Sequence, residues 1–391
     1  MDREGTRILK SVERLRDAMV QWLREFIGIP TVNGEETVLA ERIVELCREW
    51  GVRAQVWEKE PRRGNAVLEL GEGQPSLLLT AHLDTVPPGA GWKTDPFRAE
   101  VRDGWVVGRG AVDDKGPLVS ILGAVRAILD LDVELQGRVI VVGAAGEETG
   151  RFFGLPWLLE EGVVQPTYAI VAEATDNVCV EVAEKGILYV RVVTRGRAAH
   201  GSKPELGVNA IVHMAQVIQR LATFHIPHPP HPYLSPPTIN IGTICGGTAA
   251  NVVPDRCELV INIRYLPGQR EEEILDIIRA EAEAAGRSLP GFRVEVERIR
   301  GAPPAETNPE SAVVRAVRYA IRRVWGAEAR LVGTGITTHA KPLRLRGIET
   351  AVYGPGREAM CHVANERIEI EELVRGAAVY ALATTRLLGS Q

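Results

Sequence analysis

Two short stretches carry residue types that could do chemistry. Leu77–Pro87 is an apolar run of strand length that ends in His82-x-Asp84, and Gly108–Gly116 delivers the acidic pair Asp113-Asp114. On an extended chain, side chains two apart share a side. The Asp84 carboxylate is therefore expected to bind one nitrogen of His82 and aim the other at a metal ion. Three further donors stand beyond strand-like runs or in glycine-rich turns, where α/β sheets place their sites. Glu147-Glu148 follows Ile140–Gly146, Glu173 follows Ile170–Ala172, and His362 lies in the turn that begins at Gly354. One such residue alone reads as ordinary surface charge; five at the ends of such runs do not. Two imidazoles and three carboxylates (His82, Asp113, Glu148, Glu173 and His362) suit a pair of divalent ions of the zinc type, one carboxylate being shared. The chain has no H-E-x-x-H, no G-x-S-x-G and no G-x-x-x-x-G-K-[ST], so competing catalytic signatures are absent.

The elements that must position these residues read as two grammars. Helical spacing of apolar residues predicts helices over 8–27, ending before Pro30, and over 36–50, with Gly51 as its cap. Extended runs follow at 54–57, 66–70 and 76–81, then a helix over 117–131, a strand over 138–145, a short helix over 155–161 and a strand over 168–172. Strands alternating with helices imply a largely parallel sheet covered on both faces. Near residue 184 the order becomes strand 186–194, helix 207–224, strands 238–244 and 258–265, helix 271–285 and strand 292–297, a ferredoxin-like sequence of elements. The first grammar returns with a helix over 309–325, a strand over 349–353 and a long helix from 371. The expected architecture is an α/β catalytic domain over 1–183 and 299–391, with a ferredoxin-like α+β domain inserted over 184–298.

With 391 residues, two domains are the natural expectation. The net charge of −5 gives no support for a nucleic-acid or membrane-surface partner. No apolar run approaches spanning length, and the polar start Met1-Asp-Arg-Glu-Gly does not read as a signal peptide. The five cysteines are scattered, without C-x-x-C, as expected of reduced thiols in a cytoplasmic protein. His225, His228 and His231 recur every three residues in a proline-rich stretch, which would align them on a polyproline II helix. We read this as a stiff exposed loop rather than a metal site. His213 reads as a packing or surface histidine.

Taken in order, the motifs Thr80–Pro88, Gly108–Gly116, Gly146–Gly150, Val171–Glu173, Ala199–Ala210 and Gly354–His362 span nearly the whole chain. It resembles the acetylornithine deacetylase, succinyl-diaminopimelate desuccinylase and carboxypeptidase G family of dinuclear zinc amidohydrolases. The resemblance implies a zinc-exopeptidase-like catalytic domain with two divalent ions, zinc first and cobalt as the alternative. His82 and Glu173 would hold one ion, Glu148 and His362 the other, and Asp113 would bridge them. Asp84 would orient His82. Glu147 would be the general base, taking a proton from the water between the ions and passing it to the leaving amine. The resemblance also implies a cis peptide at Asp113–Asp114 and a homodimer. His200 would reach the partner's active site and stabilise the oxyanion, while Asn251 and Arg264 would hold substrate; a guanidinium fork suits a carboxylate.

One turn departs from the family pattern. Family members carry Gly-Thr-Ser-Asp or Gly-Gly-Thr-Asp before the last ligand, whereas this chain has Gly333–Pro342 with Thr338-His339 where the acid belongs and Lys341 nearby. His339 is thus a candidate substrate-binding residue whose positive charge would favour a more anionic acyl group. The expected function is removal of an acetyl- or succinyl-type acyl group from an N-acyl amino acid by a cytoplasmic homodimer. The partner is then a small acylated amino acid or short peptide, with no nucleic acid and no membrane. The alternatives are a dipeptidase or carboxypeptidase with the same centre and, further off, a non-catalytic ligand-binding paralogue. A two-metal phosphoesterase lacks the basic phosphate-binding groups it would need.

Overall fold

In the computed structural model, which describes residues 3–32 and 34–389, the chain begins with α1 (Arg3–Arg14), α2 (Arg16–Ile27) and α3 (Glu36–Glu49). Met1, Asp2, and so the start of the polar N-terminal stretch, lie outside the described residues, as do Asn33, Ser390 and Gln391. The single helix expected over 8–27 is two helices, because the chain turns at Leu15 while the apolar spacing runs on across the break. Next come β1 (Arg53–Glu58), β2 (Gly64–Gly71), β3 (Ser76–His82), the short β4 (Glu100–Arg102) and β5 (Trp105–Val107), α4 (Lys115–Asp130), β6 (Arg138–Ala144), α5 (Leu155–Glu160), β7 (Tyr168–Val171) and β8 (Cys179–Glu184). The middle of the chain holds β9 (Gly186–Arg195), α6 (Ala210–Thr223), β10 (Thr238–Gly246), β11 (Arg256–Tyr265), α7 (Glu271–Ala285) and β12 (Arg293–Ala302). The last part adds β13 (Ala305–Glu306), α8 (Ala312–Trp325), β14 (Arg330–Thr334), α9 (Ala340–Arg344), β15 (Glu349–Val352), β16 (Arg367–Glu369) and α10 (Ile370–Leu388).

The chain divides into two compact units, one of residues 1–182, 307–332 and 338–391, the other of 183–306 and 333–337. The second boundary falls later than residue 298 because β12 runs on to Ala302 and β13 follows it. In the first unit β6, β3, β7 and β15 pair in parallel, and antiparallel strands flank them: β2 and β1 on one side, β8 on the other. The sheet is parallel where the site lies and antiparallel towards its edges. β3 is buried from end to end, as a central parallel strand must be. Leu78, Ile140, Val142 and Val171 pack with Leu155 and Leu158 of α5 and Ala340 and Leu343 of α9 on one face. α4 and α10 also pack against β3 and against each other. α4 is buried nearly all round, from Pro117 to Val125 without interruption, which marks it as an interior helix. Each such aliphatic side chain contributes about 1.5–3 kcal/mol by leaving water.

The second unit is an antiparallel sheet in the order β10-β11-β9-β12, with α6 and α7 covering one face. Alternation decides the faces. Leu188, Val190, Val192, Leu259, Ile261 and Ile263 point into the core beneath the helices. Their neighbours on the other face form cross-strand ion pairs, including Arg191–Glu258 at 3.0 Å and Arg195–Glu295 at 3.0 Å. Among the described residues no helix is long and apolar enough to cross a membrane.

Candidate active site

Parallel pairing brings the expected donors to one edge. His82 is the last residue of β3 and lies opposite Ala144 at the end of β6, while Thr80 pairs with Val171 at the end of β7. Glu147-Glu148 and Glu173 therefore leave the sheet beside His82. Val352 of β15 pairs with Val171, so the segment leading to His362 starts from the same edge. Asp113 arrives from the other direction, just ahead of the first turn of α4.

The five candidate ligands form two overlapping groups, His82–Asp113–Glu173 and Asp113–Glu148–His362, with one donor atom of each residue within 4.8 Å of the others in its group. Asp113 belongs to both. Its Oδ1 lies 2.8 Å from His82 Nε2 and its Oδ2 lies 3.0 Å from His362 Nε2. His362 Nε2 is also 3.0 Å from Glu148 Oε1. The Asp113–Asp114 peptide is cis. His362 takes φ 61°, in a region that non-glycine residues seldom occupy and that clusters at functional sites.

The supporting contacts differ from expectation at Asp84. His82 Nδ1 donates to the backbone carbonyl of Asp84 at 2.8 Å, whereas the nearer carboxylate oxygen is 3.6 Å away, beyond hydrogen-bond range. β3 stops at His82, so the two-residue period that would bring both side chains together no longer holds. The contact still fixes the ring, with Nδ1 as donor to that carbonyl and Nε2 turned towards Asp113. The Asp84 carboxylate instead accepts the backbone N–H groups of Glu147 and Glu148, both at 3.0 Å. It holds the loop that carries the candidate base. Asp114, the second member of the acidic pair, accepts the N–H of His82 at 3.0 Å.

Sequence reasoning missed three further supports. Asn65 closes the base of the Glu147 loop, accepting from Ala145 N and donating to Phe153 O, both at 2.9 Å. Gly146 sits at φ 74° against the Phe153 ring, where a Cβ would collide. Glu366 and Arg109 form a buried pair beneath the Asp113 loop. The asparagine follows a glycine in a run of strand-like residues, and the two charges stand 257 residues apart in the sequence, so neither spacing nor residue type singled them out.

The electrostatics are those of a negative cage. Burial pushes the Glu173 carboxyl well above its usual range, with Glu147 and Asp114 adding to the effect. Burial likewise raises Glu148 and carries Glu147 up to about 8. For Asp113 burial also pushes upward, but the hydrogen bonds to His362 and His82 outweigh it and hold the carboxyl low. His362 is raised to about 9, chiefly by its hydrogen bond to Asp113. Carboxylates crowded together in low dielectric, with two imidazoles facing one of them, fit divalent cations, which relieve the repulsion that burial has magnified. Imidazole and carboxylate donors together suit divalent metal ions.

His339 is at the N-cap of α9 and 6% exposed. Burial, reinforced by nearby His82, draws its pKa down to about 3. It is an interior imidazole whose charged form burial disfavours. The other substrate candidates belong to the second unit. There the segment at His200 pairs with that at Val252, and Gly201 N donates to Asn251 O at 2.7 Å, so the exposed His200 and Asn251 are neighbours. Arg264, on β11, donates through Nη1 to Gly335 O at 2.9 Å and through Nε to Asn262 Oδ1 at 3.3 Å. His213 packs on Phe292, ring centroids 5.3 Å apart. His231 Nδ1 accepts the N–H groups of Tyr233 and Leu234, a turn-forming role. No histidine of that loop joins a metal-holding group among the described residues.

A mixed α/β chain with two donor groups sharing one carboxylate, at the carboxyl edge of its parallel strands, has the make-up of a metallohydrolase. The chain belongs to peptidase family M20/M25/M40, which it matches over residues 78–386. It is 33% identical to an acetylornithine deacetylase of Myxococcus xanthus over 326 residues, covering 82% of each chain. It is 30% identical to a succinyl-diaminopimelate desuccinylase of Gluconacetobacter diazotrophicus, covering 85% of this chain and 86% of that one. Among solved structures it is similar in fold to the aminopeptidase PepT of Bacillus cereus, with a TM-score of 0.78 and 24% identity over 95% of this chain and 98% of that chain.

Proposed function

We propose that the protein hydrolyses the amide bond of an N-acyl amino acid, of acetyl or succinyl type, at a pair of divalent ions. The observation that carries this reading is Asp113, whose two carboxylate oxygens face two different imidazoles at 2.8 and 3.0 Å. His82, Asp113 and Glu173 would hold one ion, and Asp113, Glu148 and His362 the other. When bound, two such ions, zinc or alternatively cobalt, supply Lewis acidity that polarises the scissile carbonyl and brings water towards ionisation at neutral pH.

Glu147 is left over from the ligand set and is held by the Asp84 carboxylate through its backbone N–H. Burial has already lifted its carboxyl to about 8, and cations held in the cage would draw that value down towards the range where a general base works. It takes a proton from the attacking water and returns it to the departing amine. Arg264 offers a guanidinium for the substrate carboxylate, with Asn251 as a second polar contact. His200 serves as the oxyanion donor to the partner's site in a homodimer. The edge strand β10 and the exposed Ile211, Val212 and Ile244 of the second unit support that assembly. His339 acts from the interior beside His82 rather than as a charged contact. The five cysteines, all free, agree with a cytoplasmic location.

Relatives named as a deacetylase and a desuccinylase support the acyl-amino acid reading over the peptide one. A panel of N-acetyl amino acids, N-succinyl amino acids and dipeptides, run with zinc-loaded protein, tests the choice. Turnover confined to dipeptides transfers the reading to peptide hydrolysis by the same centre. Two bound ions with no turnover of any member would leave a ligand-binding protein.

A further inference from the structure

We propose that Glu366, together with Arg109, is a positioning pair that sets the bridging carboxylate Asp113 and thereby the affinity of the ion site. The proposal rests on the two-ion reading above.

Glu366 lies four residues after His362 and is 0% exposed, and Arg109 is 1% exposed. Among the described residues, the hydrogen bonds of the Glu366 side chain all go to the Asp113 loop. Its Oε1 accepts the N–H of Val112 at 2.8 Å and the N–H of Asp113 at 3.1 Å. Its Oε2 accepts Arg109 Nη1 at 2.5 Å. Its backbone carbonyl takes the N–H of Gly108 at 3.0 Å, at the start of the same loop. Arg109 Nη2 reaches the carbonyls of Pro88 at 3.3 Å and Pro87 at 3.5 Å, and its guanidinium lies 5.4 Å from the centre of the Trp92 ring.

One buried pair thus joins the segment after His82, the segment that delivers Asp113 and the segment after His362. A buried ion pair is a poor source of stability, because desolvation offsets much of its attraction. Its value here is directional. Of the N–H groups it fixes, that of Asp113 belongs to a peptide unit flanking Asp113 and that of Val112 to the unit just before it, so together they set where Oδ1 and Oδ2 point. A bridging ligand must satisfy two directions at once, and a small rotation of its peptide plane spoils both. Glu366 reaches no candidate ligand through a ligand atom, and it acts through the backbone.

The test uses the full-length protein, stripped of metal and titrated with Zn2+ and separately with Co2+. Glu366→Gln keeps the volume but loses the charge and one acceptor. It is expected to fold, to bind the ions about 10- to 100-fold more weakly, as loss of a supporting contact to a ligand typically does, and to change the visible Co2+ spectrum. Ser120→Ala removes a buried hydrogen bond to Leu373 O and serves as the stability control, with parent affinities and spectrum. An Arg109→Met/Glu366→Leu double variant replaces the pair with apolar groups. It is expected to keep a cooperative melt without recovering ion affinity, and it answers the question if Glu366→Gln does not fold. Parent-like affinities and Co2+ spectrum in a folded Glu366 variant overturn the proposal alone. A parent protein that takes up fewer than two ions overturns the two-ion reading, and this proposal with it.

Discussion

The residues at the strand ends of the first unit and the substrate candidates of the second are held in opposite ways. His82 is fixed at its ring by the Asp84 carbonyl and at its backbone by Asp114; Asp113 is fixed by Glu366; Glu147 and Glu148 are fixed by the Asp84 carboxylate. In the second unit His200 is exposed, with its ring on Ser202 Oγ at 2.7 Å, and Asn251 is exposed beside it. Arg264 is half-buried with two polar contacts. Chemistry that develops charge needs groups oriented in advance, since reorganising them during the reaction raises the barrier. Recognition of a ligand instead needs donors left accessible to it.

The largest effect should come from the first unit. Glu147→Ala is expected to lower kcat by about 10²–10⁴, the usual contribution of a general base, while ion content by elemental analysis stays at the parent level. Near-parent kcat would remove Glu147 from the mechanism. Asp84→Asn places an amide nitrogen against one of the two loop N–H groups and is expected to cost about 10- to 100-fold in kcat, with the loss larger than any change in ion affinity. A pure loss of ion binding would mean that Asp84 acts on His82 after all. Arg264→Met tests the open, recognising side of the comparison. KM should rise about tenfold or more, the scale of a charged hydrogen bond, with kcat changed far less.

A smaller effect concerns the metal-free protein. Glu147, raised from its ordinary 4.5 to about 8, contributes stability that is fully present below 4.5 and is lost as pH rises through 8. His362, raised from 6.5 to about 9, contributes stability below 6.5 that is lost through 9. Both slopes have the same sign. The chelated protein should therefore melt lower at pH 9 than at pH 6, by on the order of a few degrees, and zinc should flatten the difference. A melting temperature that climbs over that interval would contradict the cage electrostatics. The smallest effect is expected at His339. Burial disfavours the charged imidazole, so His339→Asn should change the ratio of kcat/KM for N-succinyl over N-acetyl substrates by less than about twofold, far below what a lost charged contact produces. A larger change would restore a direct role in specificity.

Much of the fold could be read from local pattern. The continuous apolar runs of β3 and α4, the helical spacing of α3 and the strand-helix-strand-strand-helix-strand order of the second unit each follow from a pattern over a window the length of the element. The short elements could not be read. β4, β5 and β16 have three residues each, too few for a period. β8 hides behind its glutamates: Glu181 is buried against Arg344, which donates to its carbonyl at 2.8 Å, a contact 163 residues away. Of the site, the five donors and Glu147 were legible because each stands just past an apolar run or in a glycine-rich turn.

What the sequence by itself determined is the inventory: two imidazoles, the carboxylates, and the strand ends and turns on which they stand. Residue type and local spacing are properties of a short stretch of chain. What the tertiary structure decided is which atom each residue uses. Parallel pairing of β6, β3, β7 and β15 aligned the strand ends, and the turn after β3 sent the Asp84 carbonyl to His82 and its carboxylate to the Glu147 loop. Burial disfavoured the charged form of His339, and long-range packing brought Glu366 and Arg109 under Asp113. Burial and long-range hydrogen bonds depend on segments up to hundreds of residues apart, which no local pattern encodes.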